Sequence, residues 1–225
     1  MEMHFATIWE TISDYIPDDP ALICDENVTT WKEYEDRAAR LASFLNEKSI
    51  TSDSKVGLYL HNSNEYLEAQ FATFKIEGVP INVNYRYVEE ELIYLLDNSD
   101  SEVVFFQNSY AERIKKIADK LPKIKVFIQV GGKNPLDLKN CHMYEEIISK
   151  NSPLERKSRS EDNIYMLYTG GTTGMPKGVM YKQGAFMNSL LKTALAMGFD
   201  VPESHLDIPK TVSELSAKNM LSKTI

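Results

Sequence analysis

Short apolar runs alternate with longer segments of helical period along most of the chain. Four runs have the length and apolar content of buried strands: Lys55–Leu60, Val79–Val83, Val103–Phe106 and Lys125–Val130. Apolar residues at three- and four-residue steps predict helices at Phe5–Ile16, Trp31–Leu45, Glu65–Ile76, Val88–Leu96, Ser109–Leu121 and Met143–Ile148. Strands separated by helices in this way lie parallel, and a parallel sheet needs helices on both faces. The pattern therefore predicts an α/β fold, a layered parallel β-sheet flanked by helices.

Two of the predicted helices begin with residues at capping-box spacing. Thr30 and Glu33 precede and open the helix at Trp31, and Ser109 and Glu112 stand at the same spacing before the helix that includes Ile114. In a capping box the hydroxyl accepts from the backbone three residues on, and the carboxylate accepts from the backbone of the cap. We expect these hydrogen bonds at both starts.

Glycine is concentrated in one loop, since four of the ten glycines lie between Thr169 and Gly178. An apolar strand precedes this loop and another, Val179–Tyr181, follows it. Glycine removes side chains that would keep a ligand from the backbone, so successive N–H groups can converge on an anion. Threonine hydroxyls and the Lys177 ammonium add further donors. The composition predicts a strand–loop–strand element that holds phosphate groups and moves over them.

Two other interpretations of this loop are weaker. In a P-loop phosphotransferase, Lys follows the last glycine directly and a helix begins there. Here Met175 and Pro176 separate Gly174 from Lys177, and Pro176 disfavours helical backbone at the residue before it. A hairpin turn without a ligand is the second alternative, but the loop is longer than the two to five residues that a hairpin turn needs.

The segment Tyr168-Thr169-Gly170-Gly171-Thr172-Thr173-Gly174-Met175-Pro176-Lys177-Gly178-Val179 closely resembles the phosphate loop of the adenylate-forming superfamily. Gly170 replaces the serine that is commonest there. The resemblance extends through Thr30–Tyr34 and Arg37–Ala42 to Gly78–Tyr87 with Glu90-Glu91-Leu92, which is similar to the fatty-acyl-CoA synthetase branch. It implies that the β- and γ-phosphates of ATP are bound by Thr169, Gly170, Gly171, Thr172, Thr173, Gly174 and Lys177. Lys177 would also be catalytic by steadying the departing pyrophosphate.

The resemblance further implies ATP with Mg²⁺, coenzyme A and a small-molecule carboxylic acid of the fatty-acid class as reaction partners. On this basis residues 1–198 would form the N-terminal α/β part of the large domain, including the phosphate loop 168–178, and residues 199–225 would begin a following subdomain. The family's adenine, ribose and acyl-binding residues would lie beyond Ile225. We therefore expect the chain to be an incomplete enzyme, inactive by itself. A catalytically dead nucleotide-binding or interaction fragment is the alternative.

Charge and composition narrow the remaining possibilities. The formal net charge of −8 opposes binding to nucleic acid. The two cysteines, Cys24 and Cys141, have no partners at metal-site or disulfide spacing, and the sequence indicates no metal site. The N-terminus lacks the features of a secretory signal, and no apolar run reaches the length of a membrane span. These features favour a cytoplasmic protein, leave peripheral membrane contact open and leave the oligomeric state undetermined.

Overall fold

The computed structural model describes residues 3–170 and 175–217, and the side chains of residues 3–170 and 175–214. Its strands are β1 (Pro20–Cys24), β2 (Asn27–Thr30), β3 (Lys55–Tyr59), β4 (Val79–Asn82), β5 (Ser101–Gln107), β6 (Val126–Val130), β7 (Cys141–Met143), β8 (Ile164–Thr169) and β9 (Lys177–Lys182). Its α-helices are α1 (Phe5–Tyr15), α2 (Trp31–Glu47), α3 (Asn64–Lys75), α4 (Glu89–Asn98), α5 (Ala111–Ile117), α6 (Tyr144–Lys150), α7 (Gln183–Ala196) and α8 (Ile208–Ala217).

Five of the strands form one sheet in the order β4-β3-β5-β6-β7. Every neighbouring pair in this sheet is parallel, which confirms the predicted arrangement. The chain starts the sheet at β3, moves outward to β4 on one side, and then crosses back to β5 on the other. The strand order therefore reverses at β3, and the loops after β3 and β5 leave the sheet side by side at its carboxyl edge.

The two faces of the sheet carry separate hydrophobic clusters. On β5, Val103 and Phe105 belong to the cluster that includes buried residues of α2, α3 and α6. Val104 and Phe106 belong to the other cluster, with α4 and α5. All four side chains are fully buried. Because β5 is apolar on both sides, its sequence reads as a continuous apolar run. The helices lie on both faces of the sheet, as predicted.

One of the two predicted capping boxes forms. The Glu33 backbone N–H donates to the Thr30 hydroxyl at 3.3 Å, and the Thr30 backbone N–H donates to the Glu33 carboxylate at 2.9 Å. The expectation for Ser109 is wrong. Ser109 lies inside a 3₁₀ turn, Asn108–Tyr110, and α5 begins after it without a side-chain cap. A capping residue needs extended backbone, which Ser109 does not have in that turn.

A buried ion network joins α1, α2 and α3 to the polar segment that leads into β8. The Lys75 ammonium lies 2.7 Å from the Glu10 carboxylate and 2.6 Å from that of Glu35. The Arg159 guanidinium donates to both oxygens of Glu10, at 2.7 and 2.9 Å. The Lys75 and Arg159 side chains are each only 1% exposed. Charges buried this deeply need several partners, and the network fixes the start of β8 against α1 and α3.

After the ion network, β8 and β9 form an antiparallel two-stranded ribbon that leads directly into α7. Closer to the C-terminus, α8 packs against α1 and buries Ile208 and Val212.

The division of the chain into two domain parts at residue 198 stays a prediction. Within the described residues, no helix is both long enough and apolar enough to cross a bilayer.

Candidate functional site

The glycine-rich loop connects the two strands of the β8–β9 ribbon. Thr169 and Lys177 are paired across the ribbon, so residues 170–176 form the connection. This arrangement is the strand–loop–strand element that the sequence predicts. The structure describes Thr169, Gly170 and Lys177 of the candidate phosphate-binding residues. Gly171, Thr172, Thr173 and Gly174 lie outside the described residues.

The base of the loop is attached to α4 by two tyrosines. The Tyr168 hydroxyl donates to the Asn98 side-chain oxygen at 2.9 Å, and the Tyr94 hydroxyl donates to the Pro176 carbonyl at 3.3 Å. Burial raises the pKa of Tyr168, so its hydroxyl keeps the proton that it donates. These bonds hold both ends of the loop against α4.

Glycine at position 178 allows the ribbon to close over Tyr168. A Cβ atom at Gly178 would lie 3.0 Å from the Met166 sulfur and 3.1 Å from the Tyr168 ring. The aromatic ring therefore crosses the ribbon over the glycine backbone, which orients its hydroxyl towards α4. Packing within the ribbon therefore explains the glycine at position 178, whereas Gly170, Gly171 and Gly174 belong to the connection between the strands.

The described loop residues present their polar groups to solvent. Thr169, Gly170 and Lys177 are all exposed. A Cβ atom at Gly170 would meet no heavy atom of the described residues within 4 Å, so neither packing against them nor the backbone angle requires glycine there. The Lys177 ammonium forms no ion pair with any residue that the structure describes. An unpaired cation next to a hydroxyl and an unobstructed backbone can bind an anionic ligand.

A second group of polar and aromatic residues, which we call the carboxyl-edge cluster, contains His61, Tyr85, Arg86, Tyr110 and Arg113. They follow β3, β4 and β5, at the edge where the strand order reverses. Sequence reasoning missed Tyr85, Tyr110 and Arg113 as members of one site. The Tyr110 hydroxyl and the His61 Nε2 atom are 2.8 Å apart. The His61 and Tyr85 ring centroids are 5.0 Å apart. Ligands of open α/β sheets bind at this kind of position, in the crevice outside the carboxyl ends of the strands.

Two guanidinium groups lie over the aromatic rings of this cluster. The Arg86 guanidinium is 5.4 Å from the Tyr85 ring centroid, and that of Arg113 is 5.7 Å from the Tyr110 centroid. Arg113 also donates to the Tyr59 hydroxyl and the Tyr87 carbonyl, which fixes its position. Aromatic faces beside cations suit a ligand that combines a planar ring with negatively charged groups.

The loop after β4 also has a structural component. The Asn84 side-chain oxygen accepts from the Arg86 backbone N–H at 3.0 Å. This is the local hydrogen bond by which asparagine stabilises a turn. Asn84 therefore shapes the loop that presents Tyr85 and Arg86.

A surface pocket of about 370 Å³ between the β1–β2 hairpin and the starts of α2 and α3 has the opposite charge character. Its lining includes four carboxylates, Glu33, Asp36, Glu65 and Glu68, and one guanidinium, that of Arg37. Burial raises the pKa of Glu68, while the neighbouring Arg37 acts against this shift. Such a lining repels phosphates, so this pocket is not the complement of the loop.

Comparisons with known proteins identify the family of the chain. Residues 9–207 match the family of AMP-binding enzymes. A 3-oxocholest-4-en-26-oate–CoA ligase of Rhodococcus rhodochrous is 40% identical over 186 residues, which are 81% of this chain and 33% of that protein. A medium/long-chain-fatty-acid–CoA/3-oxocholest-4-en-26-oate–CoA ligase of Mycobacterium tuberculosis is 37% identical over 80% of this chain and 33% of its own length. The chain thus spans about a third of the curated relatives it matches.

Solved structures share the fold. A long-chain-fatty-acid–CoA ligase from Archaeoglobus fulgidus superimposes with a TM-score of 0.76 at 23% identity, covering 88% of this chain and 40% of that one. An anthranilate–CoA ligase in complex with anthranoyl-AMP gives a TM-score of 0.77 at 19% identity, over 85% of this chain and 37% of that one. At these identities the likeness shows the fold alone.

Proposed function

This chain belongs to the AMP-binding enzyme family, and from that premise we propose that it supplies the phosphate-binding loop of an AMP-forming acyl-CoA synthetase. The observation that carries the proposal is the exposed Lys177 ammonium, which forms no ion pair with the described residues. The Lys177 backbone lies opposite that of Thr169 in the ribbon, at the base of the glycine-rich loop. In the proposed reaction a carboxylate oxygen attacks the α-phosphorus of ATP. The bond to the bridging oxygen breaks, and pyrophosphate leaves with its electron pair.

Lys177 would act mainly during this bond breaking. Negative charge grows on pyrophosphate as the bond to the α-phosphate lengthens, and the ammonium interacts more strongly with this charge than with bound ATP. Such an interaction lowers the barrier rather than only tightening binding. Mg²⁺ bound to the ATP phosphates would neutralise part of the same charge. The described residues contain no group of three or more His, Cys, Asp or Glu side chains that could hold a metal ion, so the phosphates themselves would supply oxygen ligands.

In the second step a thiolate would attack the acyl carbonyl and displace AMP. The relatives named above are ligases that use coenzyme A, and the carboxyl-edge cluster suits the anionic nucleotide end of that molecule. Its rings offer faces for a purine, and Arg86 offers a cation that forms no ion pair with described residues. The acid that we propose is a fatty or other extended apolar carboxylic acid, because fatty and steroid acids appear in the relatives' names.

A catalytically inactive nucleotide-binding or interaction module is the second candidate. It is favoured by the exposure of Thr169, Gly170 and Lys177, which the described residues do not enclose. Transition-state stabilisation in a cleft needs groups from more than one side. The two candidates therefore differ in whether this chain can function when the rest of the fold is supplied.

A chimera tests the proposal. This chain replaces the matched part of the Rhodococcus ligase, and ATP–pyrophosphate exchange is measured with fatty acids and with the steroid acid. We expect acid-dependent exchange, and we expect Lys177→Ala to slow it by about a hundredfold, since one preorganised donor is worth roughly 3 kcal/mol. The affinity for ATP should change much less.

Lys182→Ala is the matched control, because Lys182 lies on the same strand but pairs with Asp162 at 2.8 Å. Its exchange rate should stay within about twofold of the parent, as for most surface substitutions. If a cooperatively folded chimera shows no exchange with any acid, the inactive module is the better reading. Equal rates for Lys177→Ala and the parent would remove the role given to Lys177.

A further inference from the structure

Two side chains of helix α4 contact the base of the phosphate loop. Tyr94 and Asn98 are four residues apart, so they lie on the same face of the helix. The Tyr94 hydroxyl donates to the Pro176 carbonyl at 3.3 Å, and the Asn98 side-chain oxygen accepts from the Tyr168 hydroxyl at 2.9 Å. One helix therefore contacts the chain where it enters the loop and where it returns.

These contacts stand next to the candidate phosphate-binding residues at the two ends of the loop. Tyr168 directly precedes Thr169, and Pro176 directly precedes Lys177. Thr169 and Lys177 are opposite each other in the ribbon. Pro176 is buried, whereas Lys177 is exposed. Fixing Pro176 limits where the Lys177 backbone can lie, while the long lysine side chain stays free to reach an anion.

The other side of α4 makes this helix a rigid support. Leu92, Leu95 and Leu96 are fully buried in the hydrophobic cluster that covers one face of the sheet. A functional group is held most accurately when a packed helix or strand supports it, rather than a second loop. The two polar contacts of α4 therefore fix the base of the loop relative to the sheet.

We infer that Tyr94 and Asn98 are positioning residues, which set where Lys177 and Thr169 stand relative to bound phosphates. Neither touches the substrate in this role, since each acts through the loop residue beside its partner. The catalytic consequence rests on the proposed function, in which Lys177 interacts with the departing pyrophosphate. A misplacement of about 1 Å can slow a reaction by about a hundredfold. Loss of one of the two contacts should slow ATP–pyrophosphate exchange by about tenfold.

Tyr94→Phe in the chimera tests the first contact, because it removes the hydroxyl and keeps the ring. The kcat of exchange should fall by about tenfold, and the KM for ATP should stay within about twofold. Tyr34→Phe is the matched control, since the Tyr34 hydroxyl donates to the Leu67 carbonyl at 3.1 Å, on α2 and away from the ribbon. It should lower the midpoint of urea unfolding about as much as Tyr94→Phe does and leave exchange unchanged. Equal exchange rates for the two variants would refute the role of Tyr94.

A double-mutant cycle separates positioning from a general effect on the fold. If Tyr94 acts through Lys177, Tyr94→Phe should slow exchange by less than about twofold in the Lys177→Ala background. The full tenfold loss in both backgrounds would show that Tyr94 does not act through Lys177.

The second contact can be removed from either side. Asn98→Leu and Tyr168→Phe each break the same hydrogen bond, so they should slow exchange equally, and the double variant should be no slower than either one. Additive losses would show that the two residues act independently, which contradicts the role given to Asn98.

Trypsin cleavage of the 225-residue chain tests the positioning without any substrate. Cleavage after Lys177 is compared with cleavage after Lys133, which is exposed in the connection between β6 and β7. Tyr94→Phe should raise the ratio of the two rates by about fivefold, because the return of the loop opens more easily, and Tyr34→Phe should not. An unchanged ratio in Tyr94→Phe would overturn the inference, whether or not the chimera folds. A raised ratio together with a folded chimera that shows no exchange would support the positioning and count only against the proposed function.

Discussion

His4 provides a quantitative test of the packing around α1. It caps the helix, since its Nδ1 atom accepts from the Ala6 backbone N–H at 3.2 Å, and its side chain is fully buried. Burial lowers the pKa of His4 to about 3, and the positive charges of Arg159 and Lys157 add to the shift. Asparagine is a good capping residue that does not titrate. His4→Asn therefore removes the titration and can retain the cap.

The sign of the effect follows from which state binds the proton. An unfolded histidine titrates near 6.5, whereas native His4 stays neutral until the pH approaches 3. As the pH falls below 6.5, the unfolded chain takes up a proton that the native protein excludes, so the free energy of unfolding decreases. Between pH 7.5 and 5.0 the loss is about 2 kcal/mol from this one group. Above pH 7.5 the contribution vanishes because both states are neutral.

Urea unfolding, followed by the fluorescence of Trp9 and Trp31, measures this loss in the parent and in His4→Asn. Glu68 titrates in the opposite sense, because burial raises its pKa and the native state then binds its proton more readily. That contribution is common to both proteins and cancels in the difference. The parent should lose about 2 kcal/mol more than the variant between pH 7.5 and 5.0. Parallel stability curves for the two proteins would show that native His4 is protonated as easily as an exposed histidine.

The remaining predictions concern the loop and the carboxyl-edge cluster. Gly170→Ser should change the free energy of unfolding by less than about 0.5 kcal/mol and leave exchange by the chimera unaltered, because the position is open. Gly178→Ser should cost at least about 1 kcal/mol in the same urea assay, because its Cβ would crowd Met166 and Tyr168. Equal stabilities of these two variants would contradict the geometry. Arg86→Ala should raise the KM for coenzyme A by roughly tenfold or more without slowing ATP–pyrophosphate exchange. An equal loss in both steps would show that Arg86 is structural.

The sheet was predictable because its central strands are buried on both faces and therefore read as continuous apolar runs. β7 escaped prediction since it has three half-buried residues at the sheet edge and no apolar run. The β1–β2 hairpin escaped for a different reason. Its turn contains Asp25 with a φ of 53° and no glycine, so the usual hairpin signal is missing.

The two candidate sites differ in the same respect. The loop is contiguous, so its glycines, threonines and lysine could be recognised together in the sequence. The carboxyl-edge cluster joins His61, Tyr85 and Tyr110, which are distant in sequence and become neighbours only because β3 lies between β4 and β5. Strand order depends on packing over the whole domain, and local patterns do not report it. Each of these residues alone is an ordinary surface histidine or tyrosine.

The salt bridge between Glu10 and Arg159 joins residues 149 positions apart, and this separation constrains the order of events during synthesis. Strands β3 to β7 can assemble before residue 159 leaves the ribosome, because their helices and neighbours all precede it. Until then Glu10 and Lys75 lack one of the charges that make their burial favourable. Docking of α1 is therefore a late event in the nascent chain, coupled to the arrival of β8. The N-terminal helix and the segment that leads into β8, which are distant in sequence, are therefore fixed against each other in the same step.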